Sequence, residues 1–386
     1  MSDLQHKLDA VDPDRLDQQQ KTQWLQACDK LRTRLESPLA TASRLVFSAH
    51  QGMAIRLAVD LRLFDVISEQ DGVFNVEQLQ IEAEPLLVKR ILRFLAAMSV
   101  IHEVDVDKYT TTPMAAALVT SSPLSAAMIH GTHFWTVLSK LPEYFHSNGW
   151  QSPQNGLEGP FQFAHSTPAH YFEFLNSNPY YGQAFNTVMS MPFRRTGKDW
   201  FEFFPVASLR VKTLSDPLIV DMGGGQGEDL RKLQFHFPDL PGQLILQDQP
   251  GVIAGVDLPG IEVMAHDFFK EQPVRNAKAY FLRTVLHDWP DMQAVQILRR
   301  LRPAMGADSL LLISESVLPE SGVGLSAVLS DLHMMASYAS LERTERQWRS
   351  LLEMAGFALV NVWLPNGCES PRDLADQPAL FEARLE

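Results

Sequence analysis

The sequence contains little cysteine and fewer basic than acidic residues. Its 386 residues include two cysteines, Cys28 and Cys368, which are too few and too far apart for a disulfide framework or a four-cysteine metal site. We therefore expect a reducing, cytoplasmic location and no metal. Lys and Arg number 33 against 46 Asp and Glu, a formal net charge of −13. Such an acidic chain repels phosphate backbones and anionic lipid, which argues against nucleic acid and membranes as partners.

Long apolar runs are also missing. Residues 1–20 are polar, unlike a signal peptide, and no later segment has the roughly 18 uncharged apolar residues of a membrane-spanning helix. A hydrophobic content of 45% is nevertheless ordinary for a globular protein. Because a single core rarely grows beyond about 300 residues, this length predicts more than one domain.

Residues 1–120 are predicted to form a mainly helical domain. The predicted helices cover Asp14–Glu36, Ala40–Leu61, Asn75–Leu79 and Pro85–Met98, and two short strands cover Ile101–Val104 and Lys108–Thr110. Helices followed by a hairpin are typical of a winged helix, which serves dimerisation or DNA binding. The helix that would enter a DNA groove carries only Lys89, Arg90 and Arg93 as basic residues, so we expect a dimerisation domain.

Residues 121–204 are rich in aromatic side chains and are predicted to be helical. Most of these rings must fill a core, but such a segment before a ligand-binding domain can also form the wall of a pocket for a flat, apolar substrate. The residues expected to line that wall are His133, Phe172, Phe185, Met189 and Met191. His130, His133 and His165 are expected to be packed or exposed rather than catalytic, although one facing the cofactor could donate a hydrogen bond to a substrate carbonyl.

From residue 205 to residue 386, short apolar runs alternate with helical stretches. The runs are Leu218–Val220, Gln243–Leu246, Ile261–Met264, Ala279–Leu282, Ser309–Ile313 and Ala358–Leu364. This alternation predicts βαβ units on a mostly parallel sheet, and therefore an α/β, Rossmann-like domain. Ligands of such sheets bind at the carboxyl ends of the strands, near the point where strand order reverses.

A glycine-rich turn follows the first predicted strand and precedes a helix that begins at Glu228. Glycine allows a tight bend and a close approach of backbone to ligand, at Gly223 and Gly225 in particular. Dinucleotides and S-adenosylmethionine both use such a turn. Asp221 at the strand end suits a cationic amino-acid group better than a pyrophosphate, and the spacing lacks the last glycine of the dinucleotide motif. Both details favour S-adenosylmethionine.

Acidic residues end the next two predicted strands as well. Asp248 lies where an acid can accept both ribose hydroxyls. Asp267 and Phe268 offer a carboxylate for the adenine amino group and a ring edge for the adenine face. Each acid alone could be a turn residue or a helix cap, but acids at the ends of consecutive strands strengthen the prediction of a cofactor site.

Three later motifs complete a pattern that resembles a known family. They are Leu286-His287-Asp288-Trp289, Ser314-Glu315-Ser316-Val317-Leu318-Pro319 and Glu342-Arg343-Thr344. Together with the glycine-rich turn, their order and spacing are similar to those of class I O-methyltransferases of the plant caffeic-acid type and their fungal secondary-metabolite relatives. The resemblance extends from about Ala40 to the C-terminus.

The resemblance implies a catalytic set. His287 would be the general base that removes the proton from a substrate hydroxyl, and Glu315 and Glu342 would flank the base, orient its ring and stabilise its imidazolium form. The chemistry agrees, because a phenol with a pKa near ~10 is mostly protonated at neutral pH, whereas an imidazole near ~6.5 can accept its proton. The phenolate would then attack the methyl carbon of S-adenosylmethionine, leaving S-adenosylhomocysteine, without a metal.

The same resemblance implies further contacts around the base. Those expected at the substrate are Asp288, His333 and Met335, and those expected at the cofactor are Trp289 and Arg283. Asp288 could also cap the helix predicted over Met292–Leu301. The loop formed by residues 337–340 lacks the family's usual Asn and Gly, so substrate contacts there are not carried over.

The expected function is methylation of a hydroxyl of an aromatic or polyketide-like metabolite by a homodimer. Two alternatives remain open. Some fungal relatives are pericyclases that keep the cofactor without transferring its methyl group. An arginine in place of His287 would favour that function, and the retained His287, Glu315 and Glu342 argue against it. A cofactor-sensing, DNA-binding regulator is disfavoured by the acidic charge.

Overall fold

A computed structural model describes residue 6 and residues 10–191, 198–368 and 377–386. The chain divides into two compact units, Met1–Met128 and Ile129–Glu386. Most of the expected aromatic segment therefore belongs to the same unit as the α/β domain. Within the described residues, no helix combines the length and the apolar character needed to cross a membrane.

The first unit consists of helices and one small hairpin. Its elements are α1 (Gln18–Leu35), α2 (Pro38–Asp60), α3 (Leu63–Ser68), α4 (Pro85–Ala97), β1 (His102–Asp105), β2 (Lys108–Thr110) and α5 (Pro113–Ala116). Helices α2 and α4 begin alike, because the side chains of Ser37 and Glu84 accept backbone N–H groups and a proline follows each. The strands pair antiparallel. This arrangement agrees with the predicted helices and hairpin.

Between β2 and the α/β part, the described residues also form the helices α6 to α10, most of whose residues belong to the second unit. They are α6 (Pro123–His133), α7 (Trp135–Ser147), α8 (Pro160–His165), α9 (Tyr171–Ser177) and α10 (Pro179–Met189). Their buried rings form an aromatic core that includes Phe134, Phe161 and Tyr171, and this core also packs against Met334 and Tyr338. The aromatic composition of this segment therefore mainly fills a core.

The α/β part of the second unit contains a seven-stranded sheet. Its elements are β3 (Pro217–Met222), α11 (Glu228–His236), β4 (Gln243–Asp248), β5 (Ile261–Ala265), β6 (Ala279–Arg283), α12 (Asp291–Leu301), β7 (Leu310–Glu315), α13 (Leu325–Tyr338), α14 (Glu345–Ala355), β8 (Phe357–Trp363) and β9 (Ala379–Leu385). The strand order is β5-β4-β3-β6-β7-β9-β8, and β3 to β7 are parallel. The order reverses between β3 and β6, so the carboxyl ends of these strands mark the expected ligand site.

Both faces of the sheet are buried. Alternate residues enter different cores: Val220 and Leu282 lie in one cluster, and Ile219 and Phe281 lie in the other. Strands covered on both faces read as continuous apolar runs, which is why the sequence pattern predicts these strands well.

Strand β9 was not predicted from the sequence. It lies between β7 and β8 and runs antiparallel to both. The apolar run is interrupted by Glu382 and Arg384, which hide its strand character. Glu382 is accommodated because its carboxylate accepts a hydrogen bond from the indole N–H of Trp363 at 2.9 Å.

The burial of β9 should make the free energy of unfolding sensitive to its side chains. Phe381 of β9 is fully buried, and its ring lies 5.6 Å from that of Trp348. Replacing Phe381 with Ala should lower the free energy of unfolding by about 3–5 kcal/mol, because a large buried ring leaves a cavity. Phe235→Ala is the control, since this ring is 82% exposed. Denaturant unfolding that gives equal stabilities for the two variants would contradict the placement of β9.

Candidate active site

The glycine-rich turn at the end of β3 has the backbone that the sequence predicts. Gly223 and Gly225 have φ angles of +73° and +60°, a region that side chains other than glycine rarely adopt. A Cβ atom on Gly224 would collide with the carboxylate of Asp221 and lie 2.5 Å from Leu246 Cδ1. The turn is therefore packed tightly from inside, and its glycines are required by sterics.

Two other predicted cofactor residues lie against this turn. The Oδ2 atom of Asp248 accepts the N–H of Gly225 at 2.8 Å, and burial raises the pKa of this carboxyl. A Cβ atom built on Gly223 would lie 3.6 Å from the ring of Phe268 and 2.9 Å from Val285. The structure thus brings the ends of β3, β4, β5 and β6 together around one backbone turn.

Asp267 and Arg283 are placed differently from one another. Asp267 is exposed at the end of β5, and its side chain accepts the N–H of Phe269 at 3.0 Å. Arg283 is largely buried and donates to Asp229, in the first turn of α11, at 2.5 Å. Its guanidinium therefore holds α11 to the end of β6, and its direct contact with a cofactor stays a prediction.

His287 lies in a short 3₁₀ turn, Leu286–Asp288, and is only 6% exposed. Its Nδ1 atom is 3.2 Å from Oε1 of Glu342, and its Nε2 atom is 3.5 Å from Oδ1 of Asp288. Glu342 also accepts a hydrogen bond from Ser330 Oγ at 2.9 Å. Because a carboxylate can only accept, it favours the tautomer with a proton on Nδ1 and leaves Nε2 free to accept one.

Glu315 contacts the base through the backbone rather than through the ring. It is fully buried, and its Oε1 accepts N–H groups from Val285 and Leu286 at 3.0 and 2.9 Å and, at 3.4 Å, from His287. Glu342 therefore meets the ring, whereas Glu315 holds the turn that carries it; that both acids orient the ring and stabilise its imidazolium form stays a prediction.

The charges around His287 decide its protonation. Burial disfavours the imidazolium, but Asp288, Glu315 and Glu342 together outweigh burial and raise the pKa of His287 to about 10. Burial likewise raises the pKa of Glu315 to about 7. For Glu342, burial is outweighed by the hydrogen bond with His287, so its pKa is lowered. The surrounding carboxylates therefore favour the imidazolium over the neutral ring.

Asp288 does not cap the following helix. Helix α12 has Pro290 at its N-cap position and no side-chain cap. The Asp288 side chain is half-buried and lies beside His287 Nε2. The expected cap is therefore wrong, and the expected contact of Asp288 with the substrate stays a prediction.

Trp289 links the glycine-rich turn to the aromatic core. Its ring is 4.7 Å from Phe269, 5.9 Å from Phe268 and 4.6 Å from His170, on which it stacks. His170 was not singled out from the sequence. Burial lowers its pKa to about 4, so it is neutral at physiological pH.

The predicted substrate residues differ in their surroundings. Phe172 lies 5.9 Å from Phe185 and 5.3 Å from Tyr338, and it packs against both the core containing Trp289 and the aromatic core. His333, Met335 and Met189 are half-buried on α13 and at the end of α10. His133 differs, because it is 7% exposed and stacks 4.0 Å from Tyr181 inside the aromatic core. Its packing agrees with the expectation of a packed histidine.

The loop before Glu342 is shorter than expected. Helix α13 continues through Tyr338, and Ala339 ends it with a φ angle of +58°. Ser340 Oγ donates to the backbone carbonyl of His287. No role for Ser340, Ser330 or Arg343 was predictable from the sequence, although Arg343 lies inside the motif Glu342-Arg343-Thr344.

Comparison with known proteins decides the family. A family model for the O-methyltransferase domain matches residues 151–358, and a model for the O-methyltransferase dimerisation domain matches residues 43–121. This chain belongs to the O-methyltransferase family. The predicted family and fold class are thereby confirmed, with a helical dimerisation domain followed by an α/β domain.

Relatives of this O-methyltransferase family member come from fungal secondary metabolism. Demethylsterigmatocystin 6-O-methyltransferase of Aspergillus flavus is 34% identical over 79% of this chain and 80% of that protein. The O-methyltransferase lepI of the same species is 33% identical over 86% of this chain and 88% of that protein.

Solved structures agree over nearly the whole chain. A complex of LepI with S-adenosylmethionine has a TM-score of 0.81 at 30% identity and covers 96% of this chain and 95% of LepI. A structure described as a pericyclic reaction enzyme gives the same TM-score, identity and coverage. OxaC in complex with sinefungin and meleagrin has a TM-score of 0.82 at 25% identity and covers 96% of this chain and 94% of OxaC.

The tight packing of the glycine-rich turn should make cofactor affinity sensitive to an added side chain. Gly224→Ala should weaken binding of S-adenosylhomocysteine by about tenfold or more, because the added Cβ displaces Asp221 or Leu246 from the turn. Gly324→Ala is the control, since a Cβ there meets nothing within 4 Å. Isothermal titration calorimetry of both variants measures the effect. Equal affinities would show that the turn tolerates a side chain and is not a tight cradle.

The carboxylates around His287 should raise the pKa of its ring, and a titration can measure this shift. In the free protein, the ¹⁵N chemical shifts of the His287 ring should titrate well above the ordinary value of 6.5, and Glu342→Gln should lower that pKa because it removes a carboxylate that favours the imidazolium. Glu320→Gln is the control, since Glu320 pairs with Arg346 at the surface. A wild-type pKa near 6.5 would contradict the described charge arrangement.

Proposed function

We propose that this chain is an S-adenosylmethionine-dependent O-methyltransferase that methylates a hydroxyl group of an aromatic or polyketide-like secondary metabolite. The observation that carries the proposal is the geometry of His287, a buried imidazole with Nδ1 held by Glu342 at 3.2 Å. This arrangement keeps Nε2 as the proton acceptor in the neutral ring. His287 is the proposed general base, Glu342 orients it, and Glu315 acts through its turn.

The residues around the glycine-rich turn fit the cofactor. Gly224 leaves no room for a side chain, Gly225 faces open space, and Asp248 and Phe268 flank the turn with a carboxylate and a ring. We assign the cofactor to these positions together with Asp221, Gly223, Asp267 and Trp289. Arg283 supports the site through Asp229. When bound, S-adenosylmethionine supplies a methyl group on a positively charged sulfur.

Proton removal follows from the tautomer. Nε2 of neutral His287 accepts the proton of a substrate hydroxyl, and Nδ1–H donates to Glu342 throughout. The imidazolium that forms is stabilised by Asp288 and Glu342, at 3.5 and 3.2 Å. Holding the hydroxyl in near-attack geometry can contribute on the order of 7 kcal/mol or more to the barrier reduction.

The raised pKa of His287 sets the pH dependence. The imidazolium of the free protein must lose its proton before it can act as a base. A nearby positive charge lowers the pKa of an imidazole, so the base is better poised in the loaded site than in the free protein. The active form is the deprotonated one, and the rate should therefore rise with pH.

The proposed substrate class is supported by the side chains that we assign to the pocket wall. The rings of Phe185 and Tyr338 lie 5.9 and 5.3 Å from the ring of Phe172, and Met189 and Met335 add adaptable apolar surface. Asp288 and His333 are the polar groups we assign to substrate hydroxyl or carbonyl groups. Packing of His133 against Tyr181 makes it a support of this wall.

We also propose that the protein is a cytoplasmic homodimer. The dimerisation-domain match over residues 43–121 supports a homodimer. The acidic charge of −13 supports small-molecule rather than nucleic-acid or membrane partners, and the scarcity of cysteine supports a cytoplasmic location.

A pericyclic reaction without methyl transfer is the second candidate function. It is supported by the likeness to a structure described as a pericyclic reaction enzyme, at 30% identity and a TM-score of 0.81. Such a reaction needs hydrogen-bond donors and a shaped apolar cavity instead of a base. The buried His287–Glu342 pair favours methyl transfer.

Mass spectrometry with methyl-labelled S-adenosylmethionine separates the two functions. The protein is tested with a panel of phenolic polyketides as methyl acceptors. The panel includes demethylsterigmatocystin, by analogy with the demethylsterigmatocystin 6-O-methyltransferase to which this chain is similar. We expect a product heavier by one labelled methyl group and an equal amount of S-adenosylhomocysteine. His287→Ala should lower turnover by about a hundredfold or more and leave S-adenosylhomocysteine affinity unchanged.

His146→Ala is the control, because His146 is exposed on α7. Full turnover by the His287 variant would remove the base from the proposal. An isomeric product without S-adenosylhomocysteine would replace methyl transfer by the pericyclic function.

A further inference from the structure

Arg343 is a buried cation with an unusual set of partners. Arg343 lies in the short segment of chain between α13 and α14, and its side chain is fully buried. Its guanidinium lies 4.9 Å from the centre of the Trp348 ring. Nη1 donates to the carbonyl of Leu286 at 3.0 Å, and Nη2 donates to the carbonyl of Trp289 at 2.8 Å. These two carbonyls stand on either side of His287 in the chain.

The ion pair of Arg343 extends the same contact. Nε and Nη2 donate to Oδ1 of Asp291 at 2.9 and 2.7 Å, and Asp291 is the first residue of α12. A buried charge is costly unless it is paired and hydrogen-bonded. Here the guanidinium donates hydrogen bonds to the turn that carries His287 and to the helix that follows this turn.

The opposite polar side of this turn is held by Glu315. Its Oε1 accepts the N–H groups of Val285, Leu286 and His287. Ser340 Oγ donates to the carbonyl of His287. The turn is therefore held by an anion at its N–H groups and by a cation and a hydroxyl at its carbonyls.

Arginine suits this position better than lysine. Two carbonyls and one carboxylate must be met at once, and a planar guanidinium has five N–H groups in a rigid fork. A lysine ammonium would place its charge at one point and could not reach all three acceptors in fixed directions.

We propose that Arg343 is a positioning residue for the base, which holds the His287 turn from its carbonyl side so that the imidazole meets Glu342. This inference rests on the proposed function of His287. Arg343 acts through the backbone of residues 286–289 and touches neither the imidazole nor the reacting atoms. A displacement of a catalytic group by about 1 Å can cost about a hundredfold in rate.

The direct test reads the position of the imidazole without any substrate. The ¹⁵N titration of the His287 ring is recorded for the free full-length protein and for Arg343→Met and Arg343→Lys. Arg343→Lys keeps the positive charge and should shift the His287 titration to lower pH, because the ring moves away from the Glu342 carboxylate. Arg343→Met should shift it less, because loss of the Arg343 cation by itself favours the imidazolium. Arg346→Met is the matched control, since Arg346 is exposed on α14 and pairs with Glu320.

A second measurement compares kinetic constants for the phenolic acceptor that yields labelled product. Arg343→Met should lower kcat by about a hundredfold, and Arg343→Lys should recover part of that loss. KM for the acceptor and the affinity for S-adenosylhomocysteine should change less than kcat, because Arg343 contacts the turn through backbone carbonyls and holds no side chain that we assign to the substrate or the cofactor. Introducing Arg343→Met into His287→Ala should cause little further loss, since both changes remove the same proton acceptor.

The outcomes separate this inference from the proposed function. An unchanged His287 titration in the folded Lys variant would overturn the positioning role, whatever the activity. Equal losses of rate from Arg343→Met with and without His287 would show a general structural role and would also overturn it. Full turnover by His287→Ala would instead refute the base, and the titration would still decide whether Arg343 positions the ring.

Discussion

The candidate site depends on one buried carboxylate. Glu315 ends β7 and turns inward at full burial, where Oε1 gathers the backbone N–H groups that follow β6. Hydrogen bonds to a charged acceptor are stronger than neutral ones, and losing such an acceptor would leave several buried donors unpaired. The chain after β6 therefore has little freedom, and the direction of His287 is determined by the parallel pairing of β6 with β7.

The sheet topology explains why this constraint lies beside the glycine-rich turn. Strand β6 pairs with β3 on one side and with β7 on the other. The turn after β6 is consequently bounded by Gly223, which closely approaches Val285, and by Glu315. One short segment thus serves both the expected cofactor site and the expected base, so changes in either site must preserve the same backbone.

Much of the fold was predictable because the buried strands and the helices between them have different local sequence patterns. The parallel strands read as apolar runs, and the Gly223 and Gly225 positions need a backbone that only glycine adopts easily. Strand β9 was hidden because Glu382 occupies a buried strand position and is satisfied by Trp363, a partner distant in sequence. A local pattern cannot show that a distant indole will pair with a carboxylate.

The site was predicted in its residue types but not in its contacts. His287, Glu315 and Glu342 were recognised from motifs, yet the sequence could not distinguish an acid that meets a ring from one that meets a backbone. Arg343 was visible only as part of a motif, because its role depends on carbonyl groups, which every residue has. The hydrogen bond from Arg283 to Asp229 likewise depends on the first turn of α11, which is distant from β6 in the sequence.

Amide hydrogen exchange at Val285, Leu286 and His287 tests most directly whether the Glu315 carboxylate holds the base in place. The described structure predicts that the Val285 and Leu286 amides, whose hydrogen bonds are 3.0 and 2.9 Å long, exchange as slowly as the core of β7. In Glu315→Leu, these amides should lose protection while those of β4 retain it. Exchange of the wild-type amides at the rate of an open loop would contradict the account.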